Sequence, residues 1–164
     1  MKKTTSKKNT AHPPAGAYPV PVYRLQLVED GTANVSPLTT PAEVAMHLGE
    51  IAAADREHMV ALFLDTKNRP IGRHLVSVGT VNATPVQPRD VFRAALVAGA
   101  VNALILSYNH PSGDVTPSRE DDESTRAIAR SGKLLGISLL DHVILAPDGS
   151  HFSYRDRRPD CLEG

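Results

Sequence analysis

The stretch Ser107–Asp122 reads Ser-Tyr-Asn-His-Pro-Ser-Gly-Asp-Val-Thr-Pro-Ser-Arg-Glu-Asp-Asp and constrains this chain more than any other. Ahead of it, Ala103-Leu104-Ile105-Leu106 is short and apolar, and the Pro-Ser-Gly punctuation that follows favours a buried strand over a buried helix. Behind it, a periodic helical segment starts at Ser118. A polar loop between the carboxyl end of a strand and the amino end of a helix is where α/β sheets collect their sites. The strand holds the loop still, and the helix offers unpaired N–H groups.

Two readings of the loop stand side by side. His110 and Asp121 are residue types that ligate zinc, and a catalytic zinc takes three protein ligands and keeps a fourth position for water. The spacing supplies only those two. The same Ser118-x-x-Asp121, straight after Pro117, is also a helix N-cap with an acidic N3 residue. A histidine before Pro-Ser-Gly is also an ordinary turn residue.

The rest of the chain supplies a frame for this loop. At 164 residues and 41% apolar content it is long enough for one hydrophobic core. Lys plus Arg equal Asp plus Glu at 18 each, so no global field draws the protein to nucleic acid or to an anionic membrane. The single cysteine, Cys161, forms no internal disulfide and fits a reducing cytoplasm. No apolar run approaches the roughly 18 residues of a transmembrane helix, and the Lys-rich start lacks an apolar segment of the signal-peptide kind. A cytoplasmic protein with no membrane partner is the expectation.

Residues 1–17 read as a disordered basic arm whose lysines offer weak nucleic-acid contact at most. Residues 18–37 read as an extended segment, because Pro19 and Pro21 confine it to a sheet edge or a packing arm. Thr40-Pro41-Ala42-Glu43 starts a helix with a capping box, expected to run to about Asp55. Met59–Leu64 and Ile71–Val78 form a strand hairpin around Asp65-Thr66-Lys67-Asn68. A second helix follows Pro88 and presents Val91, Ala94, Ala95 and Ala98 as a small-residue surface. The third helix runs from Ser118 to a glycine stop at Gly136, with acidic residues in its first turns. Ile137–Leu145 is a long strand, Phe152-Ser153-Tyr154 a short one, and the charged tail 156–164 is expected to fray. This order of elements is that of a three-layer α/β domain.

Glu57, the His110 loop, Ser118 and Asp121 together resemble the JAMM (MPN, or JAB) metallopeptidase signature of Glu, His-x-His, Ser and Asp. Four blocks narrow the likeness: Asn109-His110-Pro111-Ser112-Gly113-Asp114, Pro117-Ser118-Arg119-Glu120-Asp121, Pro88-Arg89-Asp90-Val91-Phe92 and Leu140-Asp141-His142-Val143-Ile144. Taken in chain order they look like the JAB domain of the bacterial RadC family, a resemblance that covers about residues 38–155. The resemblance implies a JAB/MPN fold similar to that of cytidine deaminases, with a mixed sheet flanked by helices. It implies zinc held by His110 and Asp121, with Tyr108 standing where the family has the first His of His-x-His. Glu57 takes the place of the general acid/base, and Ser118 that of the residue stabilising the tetrahedral intermediate.

Two functions follow from the resemblance. The first is a zinc-dependent peptidase or isopeptidase, a hydrolase acting on a peptide or protein, whose third ligand is Tyr108 or another histidine. His142 is the main candidate, with His58 and His74 behind it. A phenol with a pKa near 10 must lose its proton to bind zinc well, so weak or absent zinc is expected at neutral pH. The second function is a metal-free JAB domain kept as a binding or scaffold module, in which Tyr108 fills the metal pocket and hydrogen-bonds to Asp121 or Glu57. RadC proteins have also traditionally been named for DNA repair. Beyond the lysine arm, however, nothing in the sequence forms a nucleic-acid-binding motif.

Overall fold

The computed structural model describes residues 38–79, 86–99 and 101–163, with Pro21, Arg24, Val28 and Gly31 as isolated positions. The expected basic arm 1–17 lies outside the described residues, as does the extended segment 18–37 apart from those four positions.

Helix α1 (Pro41–His47) starts as its local sequence dictates. Thr40 caps it, Glu43 N donates to Thr40 Oγ1 at 3.2 Å, and the Glu43 carboxylate accepts from Thr40 N at 2.9 Å. The helix expected to reach Asp55 instead stops at Leu48 (φ −99°, ψ 23°), and a separate turn, α2 (Gly49–Ala52), follows. Leu48 is fully buried against the sheet, and burying such a side chain contributes roughly 2 kcal/mol. Gly49 next to it costs about 1 kcal/mol relative to Ala in a continuous helix, so breaking there is inexpensive.

Strands β1 (Glu57–Leu64) and β2 (Pro70–Gly79) form the antiparallel hairpin. Its turn is closed by the Asp65 carboxylate, which accepts from the backbone N–H groups of Lys67 and Arg69 at 2.8 and 2.9 Å. Helix α3 (Pro88–Ala98) leads to β3 (Ala103–Asn109), α4 (Arg119–Leu135) and β4 (Ser138–Leu145). The chain then adds β5 (His151–Ser153) and a short α5 (Tyr154–Arg157). The sheet order is β2-β1-β3-β4-β5, with β3 and β4 parallel and the other neighbours antiparallel. The sheet is therefore mixed.

Alternation along the strands divides the core in two. Ala61, Phe63, Leu104 and Leu106 face α3 and α4, where Val91, Phe92, Ala95 and Ile128 meet them. Val60, Leu62, Leu64 and Ile105 face the other way, onto Val44, Leu48 and Ala52 of α1 and α2. Helices on both faces of one sheet give the three-layer α/β architecture that the element order implies. Among the described residues no helix is long and apolar enough to cross a membrane.

The tail expected to fray does not. Tyr154 and Cys161 are fully buried, and residues Pro159–Cys161 form a 3-10 turn. Arg158 Nη1 donates to the Asp122 carboxylate of α4 at 2.6 Å, and the Tyr154 hydroxyl donates to the same carboxylate at 3.0 Å. Two buried side chains and two ion pairs to α4, Arg158 with Asp122 and Asp160 with Arg126, outweigh the charged composition of the segment.

Helix α4 ends on Gly136 in the left-handed region (φ 70°), as its sequence signals. Within the helix, Gly132 is needed for close approach. A Cβ there would sit 2.3 Å from the Ile137 carbonyl oxygen and 3.0 Å from Phe92 Cζ. Gly132→Ala should therefore destabilise the domain by about 1–3 kcal/mol in urea unfolding, even though Ala is the better helix former by about 1 kcal/mol. An unchanged midpoint would show that the α4–β4 junction yields at little cost.

Candidate functional site

The site is built on the end of β3. Sequence pattern places the end of this strand at Leu106, yet it continues through Ser107, Tyr108 and Asn109, and all of its residues are buried. The extension is stable because two of its three polar side chains find partners. Ser107 Oγ donates to Val143 O at 2.9 Å. Asn109 Oδ1 accepts from His58 N at 2.7 Å, while its Nδ2 donates to Arg56 O at 2.9 Å and Ala54 O at 3.3 Å. Asn109 thus clamps the start of β1 to β3 and so sets the position of Glu57. Sequence reasoning gave Asn109 no such role.

His110 is the first loop residue, and its N–H donates to Leu145 O at 2.8 Å. Its ring Nδ1 bonds to the carbonyl oxygen of Asp114. A carbonyl only accepts, so Nδ1 carries the proton and Nε2 keeps its lone pair. At the start of α4 the cap expected at Ser118 is present. Ser118 Oγ and N donate to Asp121 Oδ2 at 2.7 and 2.8 Å, and Asp121 N donates back to Ser118 Oγ at 3.1 Å. Cap and candidate site are the same residues.

One turn further on, Thr125 Oγ1 donates to Asp121 O at 2.7 Å. With its one proton used there, the hydroxyl accepts from His142 Nδ1–H at 2.8 Å, which leaves His142 Nε2 as a bare lone pair. His142 is 1% exposed, and its Nε2 has no hydrogen-bond partner. Burial pushes its pKa down to about 4, so the ring is neutral at neutral pH. Its neighbour Asp141 is also buried, accepting from His142 N, Arg155 N and Ser153 Oγ at 2.7, 3.0 and 2.7 Å. Burial raises the Asp141 pKa despite those bonds.

Tyr108 lies between the two histidines, its ring edge-on to His110 at 4.9 Å and tilted against His142 at 5.1 Å. The hydroxyl is enclosed beside the Asp121 carboxylate without a hydrogen bond of good geometry to it or to Glu57. Of the two carboxylates expected to meet the hydroxyl, Asp121 is the one it interacts with most strongly, through charge and a hydrogen-bonding approach short of ideal geometry. Burial, and after it the charge of Asp121, hold the phenol far above its ordinary value.

The fold gathers Glu57, Tyr108, His110, Ser118, Asp121 and His142 around one cleft of about 790 Å³. His58 and His74 are not on it. The His58 ring bonds to Arg56 O at 2.9 Å, and His74 stacks on Phe63 with centroids 6.4 Å apart. The start of α3 contributes Arg89 and Asp90, and α4 adds Glu120 and Ser124. The Pro88-Arg89-Asp90 block signalled a helix start but gave no sign that it faces a site. Among the described residues, no group of three or more His, Cys, Asp or Glu side chains is placed to hold a metal ion.

Comparison with known proteins adds to this geometry. The family model described as the RadC-like JAB domain matches residues 38–159. A UPF0758 protein of Rubrobacter xylanophilus is 44% identical over 120 residues, covering 73% of this chain and 52% of that protein. A UPF0758 protein of Methanococcoides burtonii is 48% identical over 101 residues, 62% of this chain and 43% of its own length. One from Finegoldia magna is 46% identical over 114 residues, 69% and 51% of the two chains. The chain spans about half the length of the curated relatives it matches.

The buried neutral His142 makes stability depend on pH. Its folded pKa of about 4 lies below the ordinary 6.5, so between those values the unfolded chain binds the proton and the folded chain does not. Stability contributed by the neutral ring is complete above about pH 6.5 and is lost as pH falls toward 4. The loss should reach about 3 kcal/mol and be largely absent from His142→Gln, as read by urea unfolding at a series of pH values. Parallel pH profiles for the two proteins would show that another group carries the acid sensitivity.

Proposed function

The chain belongs to the RadC-like JAB domain family, and on that premise we propose that it acts as a metal-free binding module whose JAMM-type centre no longer serves a zinc-dependent peptidase. One observation carries this reading, the buried phenol of Tyr108. His110 Nε2 and the Asp121 carboxylate offer two donors to a cation, but zinc in a catalytic site takes three protein donors. Tyr108 would complete the set only as a phenolate, and burial beside Asp121 keeps it protonated far above neutral pH. The donor set does not fit zinc. In this reading Ser118 and Asp121 cap α4, Asn109 and His110 fix the rim, and the cleft stays open as a recognition surface for a peptide or protein partner.

A second reading rests on one atom. His142 Nε2 is an unpaired lone pair on the cleft lining, and a side-chain shift that brought it to His110 and Asp121 would supply a third nitrogen or oxygen donor. Peptidase chemistry would then return, with Glu57 carrying the proton.

Metal content of protein purified without chelator or affinity tag separates the two. We expect well under one equivalent of zinc in the natural chain and about one equivalent in Tyr108→His, where a third imidazole or carboxylate donor is restored. About one equivalent in the natural chain, lost in His142→Ala, would establish the second reading in place of the first.

A further inference from the structure

The acceptors around the cleft describe the group it takes, an inference that rests on the metal-free reading of the site. Both histidines spend Nδ1–H inside the protein, so in the neutral ring Nε2 is the acceptor left to each, and both rings line the cleft. Asp121 holds Ser118 through Oδ2 alone. The Glu57 carboxylate enters no hydrogen bond or ion pair among the described residues. Asp90 and Glu120 add negative charge at the rim, where Arg89 is the one cationic side chain lining the cleft among the described residues. An acidic rim alone would say little. The independent feature is His142, 1% exposed, lining the cleft with its acceptor unpartnered. A buried acceptor without a donor is costly to keep, and a bound N–H would satisfy it.

We propose that the cleft binds a primary alkylammonium, its charge held by Asp121 and Glu57 and its N–H groups by the Nε2 acceptors of His110 and His142. An ammonium meets its acceptors at about 2.7–3.2 Å, whereas zinc draws its donors to about 2.0–2.2 Å and leaves no room for a neutral phenol among them. A compact charge with three rotatable donors also suits acceptors that converge from different elements better than a planar guanidinium does. Met59, Val76 and Ile128 form an apolar wall for the methylene stem behind the charge. The chemistry is shared by a lysine side chain in a polypeptide and by a free diamine, and the test separates them.

Calorimetric titration of the full chain, with its zinc content measured on the same sample, tests the proposal. The probes are a capped Ala-Lys-Ala peptide, its Nε-acetyl-lysine form, and cadaverine. The lysyl peptide should bind, and acetylation, which removes the charge and two of the three donors, should weaken binding by at least about tenfold. Glu57→Gln should weaken it by about threefold or more. Glu57 stands at the first residue of a strand, outside the α4 cap, so this variant stays informative where Asp121→Asn unfolds the helix start. Cadaverine binding as tightly as the peptide would make a free diamine the source, and peptide binding alone would make it lysine. Equal binding of the two peptide forms, or a zinc-free protein that ignores every ammonium at millimolar concentration, would overturn the proposal and leave the metal-free reading intact. A full equivalent of zinc in the natural protein would remove that reading and this proposal together.

Discussion

Strand β3 is buried along its whole length, so every polar group it carries must be satisfied inside the protein or remain as a standing cost. Ser107 and Asn109 face the α1 and α2 side and meet that demand with backbone partners from β4 and from the segment before β1. Their bonds join three separate stretches of chain behind the cleft. Tyr108, between them in sequence, faces the α4 side and has no such partner. The same strand therefore commits two residues to the opposite layer, one of them placing Glu57, and turns the third toward the cleft as its enclosed polar centre.

The start of α4 has two functions. The Ser118–Asp121 box satisfies orphan N–H groups at the helix end and at the same time fixes a carboxylate at the cleft. Through the Asp121 carbonyl the network continues to Thr125 and from there to His142. That chain of bonds sets the His142 tautomer through neutral partners, and burial, ahead of the opposing charges of Asp121 and His110, decides its protonation. Cap, tautomer and acceptor geometry are one connected system, so a change at Ser118 would be felt at His142 through positions the cleft does not expose.

What was legible in the sequence was local. The caps at Thr40 and Ser118, the hairpin at Asp65 and the glycine stop at Gly136 rest on interactions within a few residues, and each is present. The three-layer α/β class follows from the order of elements and from alternation that separates Ala61 and Phe63 from Val60 and Leu62. Events with distant partners were illegible. The end of β3 depends on groups some fifty residues away in sequence. The break at Leu48 depends on the face of the sheet that receives its side chain. The order in the C-terminal segment depends on Tyr154 and Cys161, two anchors hidden in a charged composition. Glu57 had no pattern of its own to single it out. Its place in the cleft was legible only through resemblance.

A tyrosine at position 108 also changes what holds the cleft floor together. Its ring continues a series of contacts from His110 through His142 to Tyr154 and Phe152, with centroid separations of 4.9, 5.1, 5.1 and 5.3 Å. Pairs of this kind contribute about 0.5–1.5 kcal/mol each beyond the area they bury. The series runs from the loop at the rim to the C-terminal segment, which Arg158 and Tyr154 pin to Asp122 of α4. In a metalloprotein the ion itself would tie such elements together, and ligand removal would loosen them. In this chain packed rings and two ion pairs, Arg158 with Asp122 and Asp160 with Arg126, also join them. These contacts tie the cleft floor to the C-terminal segment through the protein's own side chains.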